Sequence, residues 1–147
     1  MRVHRFHQHT RLARGRDDVF PFFAAAGNLQ RITPPELGFR VLTPDVAMKE
    51  GARIEYSLSL FGIRFPWLTE ITRWNPPHEF VDVQLRGPYR QWIHTHTFRE
   101  EESGTVMDDV VDYALPLQPV GEIAAPLVAL QVRRIFAYRT RAIARLL

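Results

Sequence analysis

"VALQVRRIFAYRTRAIARL" occupies residues 128–146. Within it Val128, Val132, Ile135, Arg139, Ala142 and Leu146 recur at steps of 4, 3, 4, 3 and 4. That spacing returns to one side of an α-helix, so the segment from about residue 120 to 147 reads as a long amphipathic helix. Pro126 falls in its first turns, where it either kinks the helix or marks its true start. A helix with a single apolar stripe needs an apolar surface to cover it. The remainder of the chain shows what that surface is.

Seven strand-like runs precede the helix, at 3–12, 39–43, 52–60, 65–74, 79–86, 89–100 and 105–115. Turn signals separate the later ones: Glu50-Gly51, Gly62, Asn75-Pro76-Pro77, Gly87-Pro88 and Ser103-Gly104. Between the first run and the second lie two short helical pieces. In "GRDDVFPFFAAAGN", Asp17 or Asp18 is placed to cap a helix carrying Val19, Phe22 and Phe23, and Gly27-Asn28 ends it. "LQRITPPELGF" is a second piece, broken at Pro34-Pro35. The order predicts an α+β fold: a curved, antiparallel seven-stranded sheet wrapped around the C-terminal helix. A sheet that bends around one helix leaves space between them.

Composition narrows the class. The 147 residues, 46% of them apolar, fit one domain over 1–147 with a single core. With no cysteine, disulfides and thiol chemistry are excluded. No run of about 18 apolar residues predicts stable membrane insertion. Residues 1–18 lack the apolar centre of a signal peptide, so cytoplasm is the expected location. The net charge is +3, from arginines and the single Lys49 against the acids. The arginines are scattered, and the densest group, Arg133, Arg134, Arg139, Arg141 and Arg145, reads as a solvated helix face. A clustered basic face for nucleic acid is not evident.

The chemistry concentrates in "GPYRQWIHTHTF", residues 87–98. In a strand, Trp92, His94, His96 and Phe98 share one face, and Gln91, Ile93, Thr95 and Thr97 the other. The two aromatics mark the first face as the inner one. If the turn at 101–104 sets Phe98 opposite Met107, then His96 faces Asp109, His94 faces Val111 and Trp92 faces Tyr113. His96 is then expected to be hydrogen-bonded and oriented by Asp109, leaving His94 to meet a ligand. On the other side, one register brings Asp82 to His94 and Gln84 to Trp92; a one-residue shift brings Val81 and Val83 instead.

The stretches "PPHEFVDVQLRGPYRQWIHTHTF" (76–98), "DDVVDYALP" (108–116) and "IFAYR" (135–139), with the element order, resemble the helix-grip fold of the START and SRPBCC superfamily. The closer likeness is to its small bacterial ligand-binding proteins, described as cyclase/dehydrase-like or cell-division-inhibitor-like. The resemblance implies a central cavity for a hydrophobic or amphipathic small molecule or lipid, with no cofactor and no metal.

The candidate ligand-binding residues are accordingly Trp92, His94, His96, Tyr113, Asp82, Gln84, Tyr56, Trp67 and Arg139. Candidate walls are Phe22, Phe23, Ile54, Tyr56, Leu58, Trp67, Ile71 and Tyr113. Arg139 interrupts the apolar helix stripe, so it either snorkels outward or pairs with an inward carboxylate or an acidic ligand head. If the protein is an enzyme, His94, His96 and Asp109 are the acid–base groups, with a phenol from Tyr56, Tyr89 or Tyr113, and the reaction is a polyketide cyclisation or dehydration. The third alternative is a regulatory or interaction module. His94, His96 and Asp109 also make a weak metal-ligand pattern, and no tightly bound metal is expected there. His7 and His9 share a face with Arg5 and Arg11 and read as a solvated strand. No motif bears on oligomeric state, and a monomer or a homodimer is equally compatible.

Overall fold

The computed structural model describes residues 1–43 and 45–147. Its sheet has seven antiparallel strands in the order β1-β7-β6-β5-β4-β3-β2. These are β1 (His4–Leu12), β2 (Arg40–Val41), β3 (Arg53–Leu60), β4 (Ile63–Asn75), β5 (Glu79–Arg86), β6 (Gln91–Glu101) and β7 (Gly104–Ala114). Helix α1 (Arg16–Ala24) and 3-10 turns at Ala26–Ile32 and Pro35–Leu37 link β1 to β2. A further 3-10 turn at Val120–Ala124 leads into α2 (Ala125–Leu146). The α+β helix-grip arrangement expected from the element order is the one observed.

Local departures have physical causes. Asp17 and Asp18 lie inside the first turn of α1 rather than capping it; Gly15 holds the cap position without a side-chain bond. There the two carboxylates face the positive end of the helix. The second helical piece is two 3-10 turns, since Pro34 and Pro35 deny it the donors of a continuous helix. The run at 39–43 shortens to the ladder pairs of Arg40 and Val41, beyond which the Leu42 N–H donates to the Glu55 carbonyl at 2.8 Å and Thr43 Oγ1 accepts from the Glu55 N–H. Pro126 stands in the first turn of α2, where its missing N–H is no loss, so it marks the start of the helix.

The buried stripe of α2 is Val128, Val132, Phe136, Ala142 and Ile143. It is rotated slightly from the expected one: Ile135 is half-buried and Leu146 is exposed. Around this stripe the interior divides in two. One cluster, with Ile54, Tyr56, Leu58, Trp67, Tyr89, Val111, Tyr113, Val132 and Phe136, packs on the N-terminal half of α2 and reaches from β3 to β7. The other joins α1 to the sheet through Val19, Phe20, Phe23, Ile71, Phe80, Phe98, Met107, Ala142 and Ile143. Register shifts in the β4–β5 ladder, between Leu68 and Thr69 and between Ile71 and Arg73, bend the sheet over the helix. Polar ties from β1 add to the packing: Gln8 donates to Thr140 Oγ1 at 2.8 Å, and His4 bonds Glu122 at 2.8 Å.

The β6–β7 hairpin turns at Gly104, whose φ is +143°. A Cβ there would stand 2.0 Å from the carbonyl oxygen of Leu12, so only glycine fits between β7 and the end of β1. No helix among the described residues is long and apolar enough to cross a membrane.

Ile143 is fully buried, whereas Leu130 on the same helix is 57% exposed. Ile143→Ala should therefore destabilise the fold by about 2–5 kcal/mol. Leu130→Ala should change stability by less than about 0.5 kcal/mol. Urea unfolding of both variants checks this; equal effects would mean that α2 is docked in a different rotation.

Candidate functional site

Strand β6 carries the two histidines at its centre, flanked by β5 and β7. The ladder sets Phe98 opposite Met107, His96 opposite Asp109, His94 opposite Val111 and Trp92 opposite Tyr113. On the other side Asp82 stands opposite His94. The polar register is thus the one the chain adopts, and Val81 and Val83 face the other way.

The hydrogen bonds do not follow the ladder. His94 Nε2 bonds Asp109 Oδ1 at 2.7 Å, and His96 Nε2 bonds Asp82 Oδ2 at 2.6 Å. The expected His96–Asp109 bond is not made; those groups stand 3.5 Å apart, and His94 Nδ1 lies 3.8 Å from Asp82. Each imidazole reaches diagonally instead. Diagonal partners on neighbouring strands are within reach of long side chains. The diagonal choice also lets the two rings stack, with centroids 3.6 Å apart, while Phe80 stacks on His96 at 4.0 Å. His94 is therefore no freer than His96, which corrects the expectation that it alone is left for a ligand.

Between β3–β6, the 3-10 turns and α2 lies a cavity of about 110 Å³. Asp82, His94, His96 and Arg139 form its polar end, and Tyr56, Leu58, Trp67, Trp92 and Phe136 stand among its mainly apolar walls. Three expected residues are elsewhere. Asp109 is buried and outside the lining, behind His94. Tyr113 packs among His4, Tyr89 and Trp92 rather than reaching the cavity. Gln84 is drawn to the hairpin turn, where it donates to the Tyr89 carbonyl at 2.6 Å and accepts from the Tyr89 N–H.

Phe22, Phe23, Ile54 and Ile71 belong to the packed interior or its margin and do not line the cavity. Sequence reasoning missed Leu29, Thr33, Leu37, Phe39, Leu60, Ile135 and Phe136 as walls. The first four come from the turns after α1, which have no periodicity to reveal a face. Phe136 was legible as the neighbour of Ile135 on the helix stripe.

The charges are mutually adjusted. Burial favours the protonated form of Asp82 and Asp109, but the histidine hydrogen bonds and the positive charges of His94, His96 and Arg139 outweigh it, and both carboxyls lie below their usual range. His96 is held below the ordinary imidazole value, first by burial and then by the neighbouring His94; Asp82 and Asp109 pull the other way without prevailing. Burial lowers Arg139 too, against the opposing pull of Asp109, Asp82 and Tyr56. Its guanidinium lies over the Phe136 ring at 4.9 Å, and its buried Nε has no partner among the described residues. Burial pushes the phenols of Tyr56 and Tyr89 well above their usual range, so both are neutral hydroxyls. Asp82, His94 and His96 also offer three donor atoms within 4.8 Å of one another. Their rings stack at 23° with centroids 3.6 Å apart, which suits convergence on an ion poorly.

Comparison with solved structures places the fold. A protein from Chromobacterium violaceum superposes with a TM-score of 0.75 at 14% identity, covering 97% of this chain and 96% of the other. A protein from Thermus thermophilus gives 0.74 at 16%, covering 98% and 95%. The major latex-like protein 151 of Panax ginseng gives 0.69 at 13%, covering 97% and 96%. The chain thus shares the helix-grip fold of these proteins, an antiparallel seven-stranded sheet closed over one long helix. No family model matches the chain, and a search of the curated proteins found no match.

Because Asp82 is depressed and so is His96, the unfolded chain takes up protons at both groups before the folded chain does. Stability should accordingly fall with pH, beginning below about 6.5 through His96 and continuing below about 4 through Asp82. Asp82 supports the His96 cation, so Asp82→Asn should move the His96 titration to lower pH still. Imidazole NMR and urea midpoints at several pH values test this; a His96 that titrates above its ordinary value, or rises in the variant, contradicts the geometry.

Proposed function

We propose that the protein binds a hydrophobic or amphipathic small molecule in the cavity between the sheet and α2. One observation supports the reading above others: an apolar-walled cavity that ends on a cluster of directed polar groups. Apolar walls give affinity, and a few fixed polar groups set orientation. The helix-grip likeness agrees with this reading without choosing a ligand.

The polar end favours an acidic head group. Asp82 and Asp109 are each engaged by an imidazole. Arg139 stands with Asp82 in the cavity lining, its Nε without a partner among the described residues. A carboxylate or acidic phenol placed there meets the guanidinium, while its apolar body lies against Trp67, Trp92 and Leu58.

The paired imidazoles favour a second reading, an acid–base enzyme of the cyclase or dehydratase kind. Each histidine is oriented by a carboxylate and faces the cavity, as proton transfer at a bound substrate requires. Turnover of an aromatic polyketide mimic, abolished by Asp82→Asn while ligand binding persists, would distinguish catalysis from storage or sensing.

Competition of octanoate and octan-1-ol against a fluorescent amphiphile tests the first reading. Leu58→Trp should fill the cavity and weaken both ligands at least tenfold, whereas Leu130→Trp, outside it, should not. Arg139→Met keeps the apolar stem and removes the charge. It should weaken octanoate about tenfold, in keeping with about 1.5 kcal/mol for a hydrogen bond to a charged group, and leave octan-1-ol unchanged. Equal loss of both ligands would remove the acidic-head assignment, and failure of Leu58→Trp to affect either would remove the binding site itself.

A further inference from the structure

We propose that His7, His9 and Asp108, on the outer face of the sheet, form a binding site for a borderline divalent cation such as Zn²⁺. The site lies on the face opposite the cavity and does not depend on the reading of the cavity. His7 and His9 are two residues apart on β1 and point outward together. The ladder sets His9 directly opposite Asp108 on β7. Both rings turn toward the same carboxylate oxygen: His7 Nε2 is 3.3 Å from Asp108 Oδ1, and His9 Nδ1 contacts it too. The three donor atoms lie within 4.8 Å of one another. Ligands about 2.0–2.1 Å from one tetrahedral ion are separated by about 3.3 Å. An ion between these groups replaces proton-mediated contacts with coordination, and its fourth position opens to solvent.

The surroundings favour a cation despite the arginine-rich strand. Arg5 and Arg11 flank the histidines in the same row, yet each is paired: Arg5 with Asp112 at 2.7 Å and Arg11 with Glu101 at 3.2 Å. Arg99 approaches the other oxygen of Asp108, at 3.7 Å, which leaves Oδ1 to the histidines and steadies the carboxylate. The rings are tilted by 56° rather than stacked, so their lone pairs are able to converge. The inner triad of Asp82, His94 and His96 lacks these advantages: its rings stack at 23°, and Arg139 stands at the same cavity end. Coordination at the outer site ties β1, an edge strand, to β7.

Isothermal titration of tag-free, chelator-treated protein with zinc chloride tests the assignment, with imidazole NMR to locate the ion. One equivalent should bind and shift the His7 and His9 rings. His7→Ala, His9→Ala and Asp108→Asn should each weaken binding at least tenfold, and Asp82→Asn should not. No stoichiometric binding, binding indifferent to His7→Ala and His9→Ala, or binding lost in Asp82→Asn with shifts at His94 and His96, would each overturn it.

Discussion

The contact on which the rest of the architecture depends is the packing of α2 across the concave face of the sheet. Val132, Phe136 and Ile143 are each nearly inaccessible, and burying side chains of this size contributes roughly 1.5–3 kcal/mol apiece. To cover them the sheet has to bend, and the irregular β4–β5 ladder supplies the bend. One helix cannot fill the whole trough of seven strands. Its two apolar clusters meet imperfectly, and the polar groups of β5, β6 and β7 occupy the seam.

Those polar groups are tolerable in the interior because they satisfy one another. An unpaired carboxylate there would be strongly disfavoured. Two carboxylates and two imidazoles, supplied by three neighbouring strands and overlooked by Arg139, hold each other in place and keep only a few atoms without partners. The same self-sufficiency makes the cluster rigid. A rigid polar end beneath apolar walls is suited to orienting a guest, whether or not it then reacts.

Much of this was legible from the chain. The 4-3-4-3-4 rhythm of α2, the turn residues between strands and the outward row Arg5, His7, His9, Arg11 each rest on local periodicity, and the structure follows them closely. Pairing across the β6–β7 hairpin was equally accessible, since the turn sets it. The cavity-facing positions of the turns between α1 and β2 were not, because residues such as Leu29 and Phe39 belong to no repeating pattern. Side-chain reach was the other blind spot. Alternation tells which face His94 and His96 share, but not that each imidazole prefers the diagonal carboxylate once the rings stack and Phe80 presses against His96. Gln84 illustrates a third: its backbone position allowed an inward role, and the Tyr89 backbone took its amide instead.

The diagonal pairing has an implication for how this chain can drift. Backbone neighbours on adjacent strands are the usual pairs expected to vary in concert. Here position 94 is hydrogen-bonded to 109 rather than to 111, which faces it, and position 96 is hydrogen-bonded to 82 while it meets 109, which faces it, through charge alone. Loss of a single carboxylate strands an imidazole in the interior, so a viable lineage exchanges acid and base together, along the diagonals. The record of ancestry at these four sites should therefore run obliquely across the sheet, against the grain of its own ladder.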